Sequence, residues 1–215
     1  MPELSFVEQP ERDDLGAFVA RAVRLDGQTV VRLRNRDGGR VDAWVATPFD
    51  VLATRTVRGA VEPGDVTVSG NELLAALAVS RADRIDPGRV MDMQWRSALP
   101  PLAHWQVVED QLPAKVVTDL TDRGLEVARE NVGPHGTPPA SLLDQTVLTV
   151  TGDGLEVKIP MRCLFAMSGM GFLGSGGNVD PDEHVRITAT DAWLRIDARF
   201  GAVVRRRHAL LPLLV

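Results

Sequence analysis

The sequence predicts an α+β protein of two tandem similar domains, each an antiparallel sheet carrying one or two helices. Three observations predict it. Landmarks recur in one order along the two halves of the 215 residues. Runs beside the Asp-Gly pairs alternate apolar and polar residues with the period of two of a half-buried strand. One stretch in each half spaces its apolar residues as an amphipathic helix does. Ser5-Phe6-Val7-Glu8-Gln9-Pro10 and Gln106-Val107-Val108-Glu109-Asp110-Gln111 each precede the helical stretch. Gln28-Thr29-Val30-Val31 then runs into Asp37-Gly38, as Gln145-Thr146-Val147-Leu148 runs into Asp153-Gly154. Each return run meets a proline, Pro48 or Pro160, and later a turn, Val61-Glu62-Pro63 or Val179-Asp180-Pro181.

Element by element, Leu15, Phe18, Val19 and Ala22 predict a helix over 11–24. Residues 28–36 alternate, with Val31 and Leu33 on one face and Arg32, Arg34 and Arg36 on the other, and 40–46 turn Val41, Ala43 and Val45 inward. The Asp-Gly pair between them supplies the positive φ that a tight hairpin requires. A strand at Val66-Thr67-Val68 leads to a helix over 71–81 with Leu73, Leu74 and Leu77 as its apolar stripe, and Ser69 and Asn71 offer caps for its first N–H groups. Ser97-Ala98-Leu99-Pro100-Pro101-Leu102 reads as an extended connector, because the residue before a proline is pushed away from helical angles. The domains are therefore expected at 1–100 and 101–215. In the second, Val116, Leu120, Gly124 and Val127 predict a helix over 113–131, and Leu194, Ile196, Ala198 and Phe200 alternate as a strand where the first domain has a helix.

Composition excludes several classes. Hydrophobic residues make up 44% and charged residues 25%, the ordinary globular balance. Lys and Arg number 24 against 29 Asp and Glu, a formal charge of −5, so no global basic field draws the chain to nucleic acid or anionic lipid. The lone Cys163 excludes an internal disulfide and a cysteine zinc site and fits a reducing compartment. No apolar run approaches membrane-spanning length and the N-terminal residues lack a signal-peptide pattern, so a cytoplasmic protein is expected. The preference for Arg over Lys, with no Tyr, is similar to proteins of GC-rich genomes such as those of actinobacteria.

Leu4-Ser5-Phe6-Val7-Glu8, the helix to Val23, the Asp37-Gly38-Gly39 hairpin, Pro48-Phe49-Asp50 and the stretch from Ala60 through Ser69-Gly70-Asn71-Glu72-Leu73-Leu74 together resemble the opening domain of a bacterial DNA sliding clamp. The likeness covers about residues 4–80; beyond them only order and spacing agree. The resemblance implies tandem domains whose helices line a hole around duplex DNA, six domains to a ring, and hence a trimer of two-domain chains. The charges do not follow it. Arg12, Arg21 and Arg24 are cancelled by Glu11, Asp13 and Asp14, while Lys115, Arg123 and Arg129 are outnumbered by Asp119, Asp122, Glu126 and Glu130. Helices that grip duplex DNA must displace counterions from phosphates, and these lack the cationic surplus to do so.

Arg32, Arg34, Arg36 and Arg40 form the one local basic cluster, a candidate grip for phosphates or an acidic partner, with Asp37 and Asp42 at hand to neutralise it. Gly169-Met170-Gly171-Phe172-Leu173-Gly174 matches the dinucleotide-binding spacing. The following Ser175-Gly176-Gly177-Asn178-Val179-Asp180-Pro181 leaves no helix N-terminus for a pyrophosphate, so no nicotinamide or flavin is expected there. Residues 168–178 read instead as a Gly-rich loop that could shape a partner site through Gly169, Gly171 and Gly174. Met161, Cys163, Met167 and Met170 could ligate a soft metal but are more simply core fillers. His104, His135, His184 and His208 are isolated, and the acidic turn at Asp180, Asp182 and Glu183 lacks calcium-loop spacing, so no metal and no catalytic residues are assigned. Arg205-Arg206-Arg207 reads as a second basic spot or a solubilising run. The expected function is a non-catalytic tandem-domain scaffold binding proteins or its own copies, with DNA a weaker partner. The alternative is a small-molecule enzyme or sensor using a cleft between the domains and the 168–178 loop.

Overall fold

The computed structural model describes residues 1–80, 82–130, 138–173, 180 and 182–207. The chain divides into two compact units. The first comprises Met1–Pro48 and Leu52–Ala98, and the second comprises Phe49–Val51 and the chain from Leu99 onward.

The first unit runs β1 (Glu3–Phe6), α1 (Gln9–Leu25), β2 (Val30–Arg36), β3 (Arg40–Thr47), β4 (Val51–Glu62), β5 (Asp65–Ser69), α2 (Gly70–Val79) and β6 (Arg84–Ile85), then a 3-10 turn at Asp92–Gln94. Its sheet is ordered β5-β2-β3-β4, and β1 pairs antiparallel with both β4 and β6. Pro10 sits in the first turn of α1, where its missing N–H costs nothing, and Leu15, Phe18, Val19 and Ala22 are the buried stripe the spacing predicts. Val31, Leu33, Val41, Ala43, Val45, Val66 and Val68 form the inner sheet face, none more than 1% exposed. Asp42 and Trp44 on the other face of β3 are buried as well, which alternation alone does not predict. Ser69 caps α2 by accepting the Glu72 N–H at 3.4 Å; Asn71 is instead helical and donates its Nδ2 to the Gly27 carbonyl at 2.8 Å. Leu73 and Leu77 face the core and Leu74 is half-buried.

The second unit runs β7 (Gln106–Pro113), α3 (Ala114–Glu130), α4 (Ala140–Leu143), β8 (Thr146–Gly152), β9 (Leu155–Pro160), α5 (Met161–Gly169), β10 (His184–Ala189), β11 (Trp193–Ala198) and β12 (Gly201–Arg206). One sheet is ordered β12-β11-β10-β7, and β8 and β9 form a two-stranded sheet among the described residues. The β8–β9 turn has Asp153 at φ 48° and Gly154 at φ 79°, both left-handed as a two-residue hairpin turn requires. The alternating 188–200 stretch divides between β10 and β11, strands as predicted.

One helix is turned from its expected setting. Val116 and Val127 on α3 are 38% and 45% exposed, and the buried residues are Ala114, Val117, Thr121, Gly124 and Ala128. The stripe is shifted because Gly124 faces Met161 and Phe165 of α5 so closely that no side chain would fit between them. Small residues let the two helices approach, and that packing outweighs the larger apolar area of the valine face.

Candidate functional site

The pairing register determines where the four arginines go. Arg32 lies opposite Thr67 of β5 and opposite Trp44 of β3, Arg34 lies opposite Asp65 and Asp42, and Arg36 lies opposite Arg40. Arg32 donates Nε and Nη2 to the two oxygens of Asp65 at 2.7 and 2.8 Å, and this pairing raises its pKa. Arg34 stands 3.7 Å from the same carboxylate and Arg36 3.8 Å from Asp42. Arg40 donates to the Asp37 carbonyl at 3.1 Å, a backbone contact rather than the side-chain neutralisation expected of Asp37. The cluster is therefore a laced charge row, and such part-exposed pairs contribute at most about 1 kcal/mol each.

What stands beside this row has no counterpart in the local sequence pattern. Residues 90–95 fold along the open edge of β5: Val90 bridges Val68, Met91 donates to the Thr67 carbonyl at 2.7 Å, and Asp92 Oδ1 accepts the Thr67 N–H at 2.6 Å. The edge strand is thereby protected from pairing with another chain. This brings Trp95 to Arg32, whose Cζ lies 5.8 Å from the indole centroid, within cation–π reach. Arg32, Asp65, Thr67, Asp92 and Trp95 together line a cleft of about 360 Å³. Trp95 between Gln94 and Arg96, close behind Asp92, is the available signal, but which strand it returns to is not encoded locally.

The glycine stretch has a different character from the loop expected. Gly169 closes α5, and Gly171, at φ 63°, turns the chain off the helix end with its N–H on the Ser168 carbonyl at 2.9 Å. Phe172 and Leu173 are buried, and the Phe172 ring lies against Gly201, where no β-carbon would fit. The motif thus leaves a helix rather than a strand, contrary to the dinucleotide-binding arrangement. Gly174 and the rest of the stretch to Val179 lie outside the described residues, as do Pro181, His135 and His208. Met161, Cys163, Met167 and Met170 are core residues, each at most 5% exposed, and burial pushes the Cys163 thiol up to about 12.

Arg162, buried at 9% exposure, donates to Asp144 Oδ1 at 3.0 Å and to the Phe49 carbonyl at 2.8 Å. Asp50, at φ 57°, lies 3.7 Å from Arg162 and 3.8 Å from Arg205. Arg206 covers the Trp193 ring at 4.7 Å, and Arg207 donates to the Thr190 and Glu156 carbonyls at 2.8 and 2.6 Å. These C-terminal arginines are thus structural ties. His184 engages the Asp182 carbonyl at 2.8 Å, and among the described residues no group of three or more His, Cys, Asp or Glu could hold a metal.

Residues 100–210 match the model of a family described as a domain of unknown function, DUF8185. The chain belongs to the DUF8185 family. Residues 1–97 match a second model, the domain of unknown function DUF8010, ahead of the DUF8185 part. A comparison with curated proteins finds no match. Among solved structures, the chain is similar to the β sliding clamp of Caulobacter crescentus, with TM-score 0.59 and 12% identity over 99% of this chain and 66% of that one. The β subunit of the Streptococcus pyogenes DNA polymerase follows at TM-score 0.53 and 9% identity, covering 99% and 66%. The Bartonella birtlesii sliding clamp bound to griselimycin follows at 0.52 and 14%, also covering 99% and 66%. The DUF8185 chain thus has a divergent clamp-like fold and spans about two thirds of the length of those clamps. Among its described residues no helix is long and apolar enough to cross a membrane.

Proposed function

We propose that this chain is a non-catalytic binding protein of clamp-like architecture that recruits protein partners or its own copies, with duplex DNA at best a weak ligand. The observation that carries the reading is the charge state of the helices in a clamp-like fold. On α1, Arg12 is buried with Nη1 on the Ser80 carbonyl, Glu11 is paired with Arg58, and Asp14 is paired with Arg55. On α3, Lys115 is held by Asp119 at 2.8 Å, while Asp122, Glu126 and Glu130 outnumber Arg123 and Arg129. Such surfaces release few counterions from duplex phosphates. The half-exposed Arg34 and the exposed Arg40 favour an acidic partner on the β2–β3 hairpin, and the buried Phe172 and Leu173 leave the Gly169–Gly174 stretch a secondary candidate. The buried thiol of Cys163 fits a reducing compartment, the cytoplasm.

Anisotropy with a labelled linear duplex at about 150 mM salt, near physiological ionic strength, tests this. No submicromolar binding is expected, and weak binding at low salt should vanish when Arg32, Arg34, Arg36 and Arg40 are changed to Ser. Submicromolar binding at that salt that survives the four substitutions would overturn it. Sedimentation velocity on the same protein reads self-association directly.

A further inference from the structure

The cleft beside Trp95 holds hydrogen-bonding capacity that the first unit does not use. Thr67 is 2% exposed and its backbone is satisfied on both sides, by Asp92 and by Met91. Its hydroxyl, in the cleft wall, has no hydrogen-bond partner among the described residues. It is not among the solvent-excluded unpaired atoms, so it meets solvent in the cleft, and a ligand hydroxyl entering there can replace its water. Arg32 commits Nε and Nη2 to Asp65, which leaves the Nη1 amino group uncommitted among the described residues. Asp92 commits only Oδ1. The Trp95 Nε1 is already donated to the Ser97 carbonyl at 2.5 Å, so the indole brings the cleft ring carbons rather than a donor, with the Arg32 guanidinium over the ring at 5.8 Å.

The charges around this cleft cancel. Arg32 and the neighbouring Arg34 are matched by Asp65 and Asp92, so a phosphate would meet two carboxylates and an ammonium two guanidinium groups. A neutral ligand suits the site if it presents adjacent groups that both donate and accept, together with a flat apolar side. Planar amides offer the paired polar atoms but little apolar area, and a nucleotide brings the phosphate that the carboxylates repel.

We propose that the Arg32–Asp65–Thr67–Asp92–Trp95 cleft binds a neutral pyranose ring. Neighbouring hydroxyls of the sugar accept from Arg32 Nη1 and donate to the free oxygen of Asp92, the Thr67 hydroxyl completes the set, and the C–H face of the ring lies on the indole. A cleft of about 360 Å³ falls within the range of small-molecule sites and admits one such ring.

Saturation-transfer NMR on the full chain tests the proposal with glucose, galactose and mannose and with their methyl glycosides. Transfer to the ring C–H protons of at least one sugar is expected, reduced roughly tenfold in Thr67→Val and in Trp95→Leu, with unchanged circular dichroism and melting. Asp92→Asn keeps the acceptor for the Thr67 N–H and should weaken the sugar without loosening the segment, which separates a lost ligand contact from a lost fold. Binding of the methyl glycosides would assign the site to sugars linked in a glycan, and binding of the reducing sugars alone would assign it to free monosaccharides. Absence of transfer from every sugar, transfer indifferent to the Thr67 and Trp95 substitutions, or displacement by inorganic phosphate would overturn the proposal.

Discussion

The backbone N–H of Gly70 donates to the Thr29 carbonyl at 3.0 Å, tying the first residue of α2 to the residue that precedes β2. The second unit repeats the tie between Met161, the first residue of α5, and the Gln145 carbonyl at 2.9 Å. These bonds make β8 the counterpart of β2, β9 of β5 and α5 of α2. A second pair agrees, since Phe6 at the end of β1 donates to the Asp83 carbonyl at 2.9 Å and Ala114, directly after β7, donates to the Glu183 carbonyl at 2.8 Å, the acceptors being the residues just before β6 and β10. The Asp-Gly turns therefore hold different places. Asp153-Gly154 joins the counterparts of β2 and β5, whereas Asp37-Gly38 leads into β3 and β4, for which the described residues of the second unit hold no equivalent, adding β11 and β12 after β10 instead.

The Gly70 tie predicts a costly substitution. A β-carbon at Gly70 would stand 2.9 Å from the Thr29 carbonyl oxygen and 2.8 Å from its methyl group, and the oxygen cannot yield without breaking the bond. Gly70→Ala is expected to destabilise the protein by about 1–3 kcal/mol, as overpacking does. Urea denaturation reads it, and a midpoint unchanged from wild type would show that the tie bends freely.

The rotated face of α3 predicts opposite outcomes for adjacent valines. Val117 is 3% exposed and Val116 38%. Val117→Ala should cost on the order of 2 kcal/mol, and Val116→Ala should stay within about 0.5 kcal/mol. Equal losses in chemical denaturation would restore the valine-stripe setting.

Cys163 should be inert in the native protein. It is fully buried in α5, and burial raises its pKa to about 12, opposed by the nearby Arg205 and Arg162. A native pKa above the unfolded one adds stability below the unfolded value, and this is lost as pH rises from near 9 toward 12. Ellman's reagent should find no rapid reaction in native buffer and one thiol per chain in denaturant; prompt native labelling would contradict the burial.

Glu11 predicts a dependence at acid pH. Burial opposes its charge, but hydrogen bonds from the Arg58 side chain and N–H, at 2.8 and 2.9 Å, outweigh that and hold its carboxyl below the usual range. Its contribution is present above the unfolded carboxylate pKa and disappears as pH falls through the lowered native one. Because the Arg58 side chain is 54% exposed, solvent and salt screen the pair and keep its contribution small. The stability gap between wild type and Glu11→Gln, followed by denaturation from pH 7 to pH 3, should close toward the acid end, whereas a gap independent of pH would assign the effect to packing.

Local patterning determined much of this protein. The stripe Leu15, Phe18, Val19 and Ala22, the alternation of Val31 and Leu33 against the arginines, the Asp-Gly turns and the Ser69 cap all express rules that act within a few residues, and the clamp-like order of elements follows from them. Tertiary structure decided the rest. Gly124 set the face of α3 because the approach of another helix, not the area of its own valines, fixes which side is buried. Whether Asp65 or Asp37 neutralises Arg32 depends on which strand lies beside β2, and the position of Asp92 and Trp95 depends on a segment some 60 residues downstream folding along β5. Contacts between residues so far apart in sequence leave no periodicity to read, which is why the arginine row was legible as a pattern and the neutral cleft beside it was not.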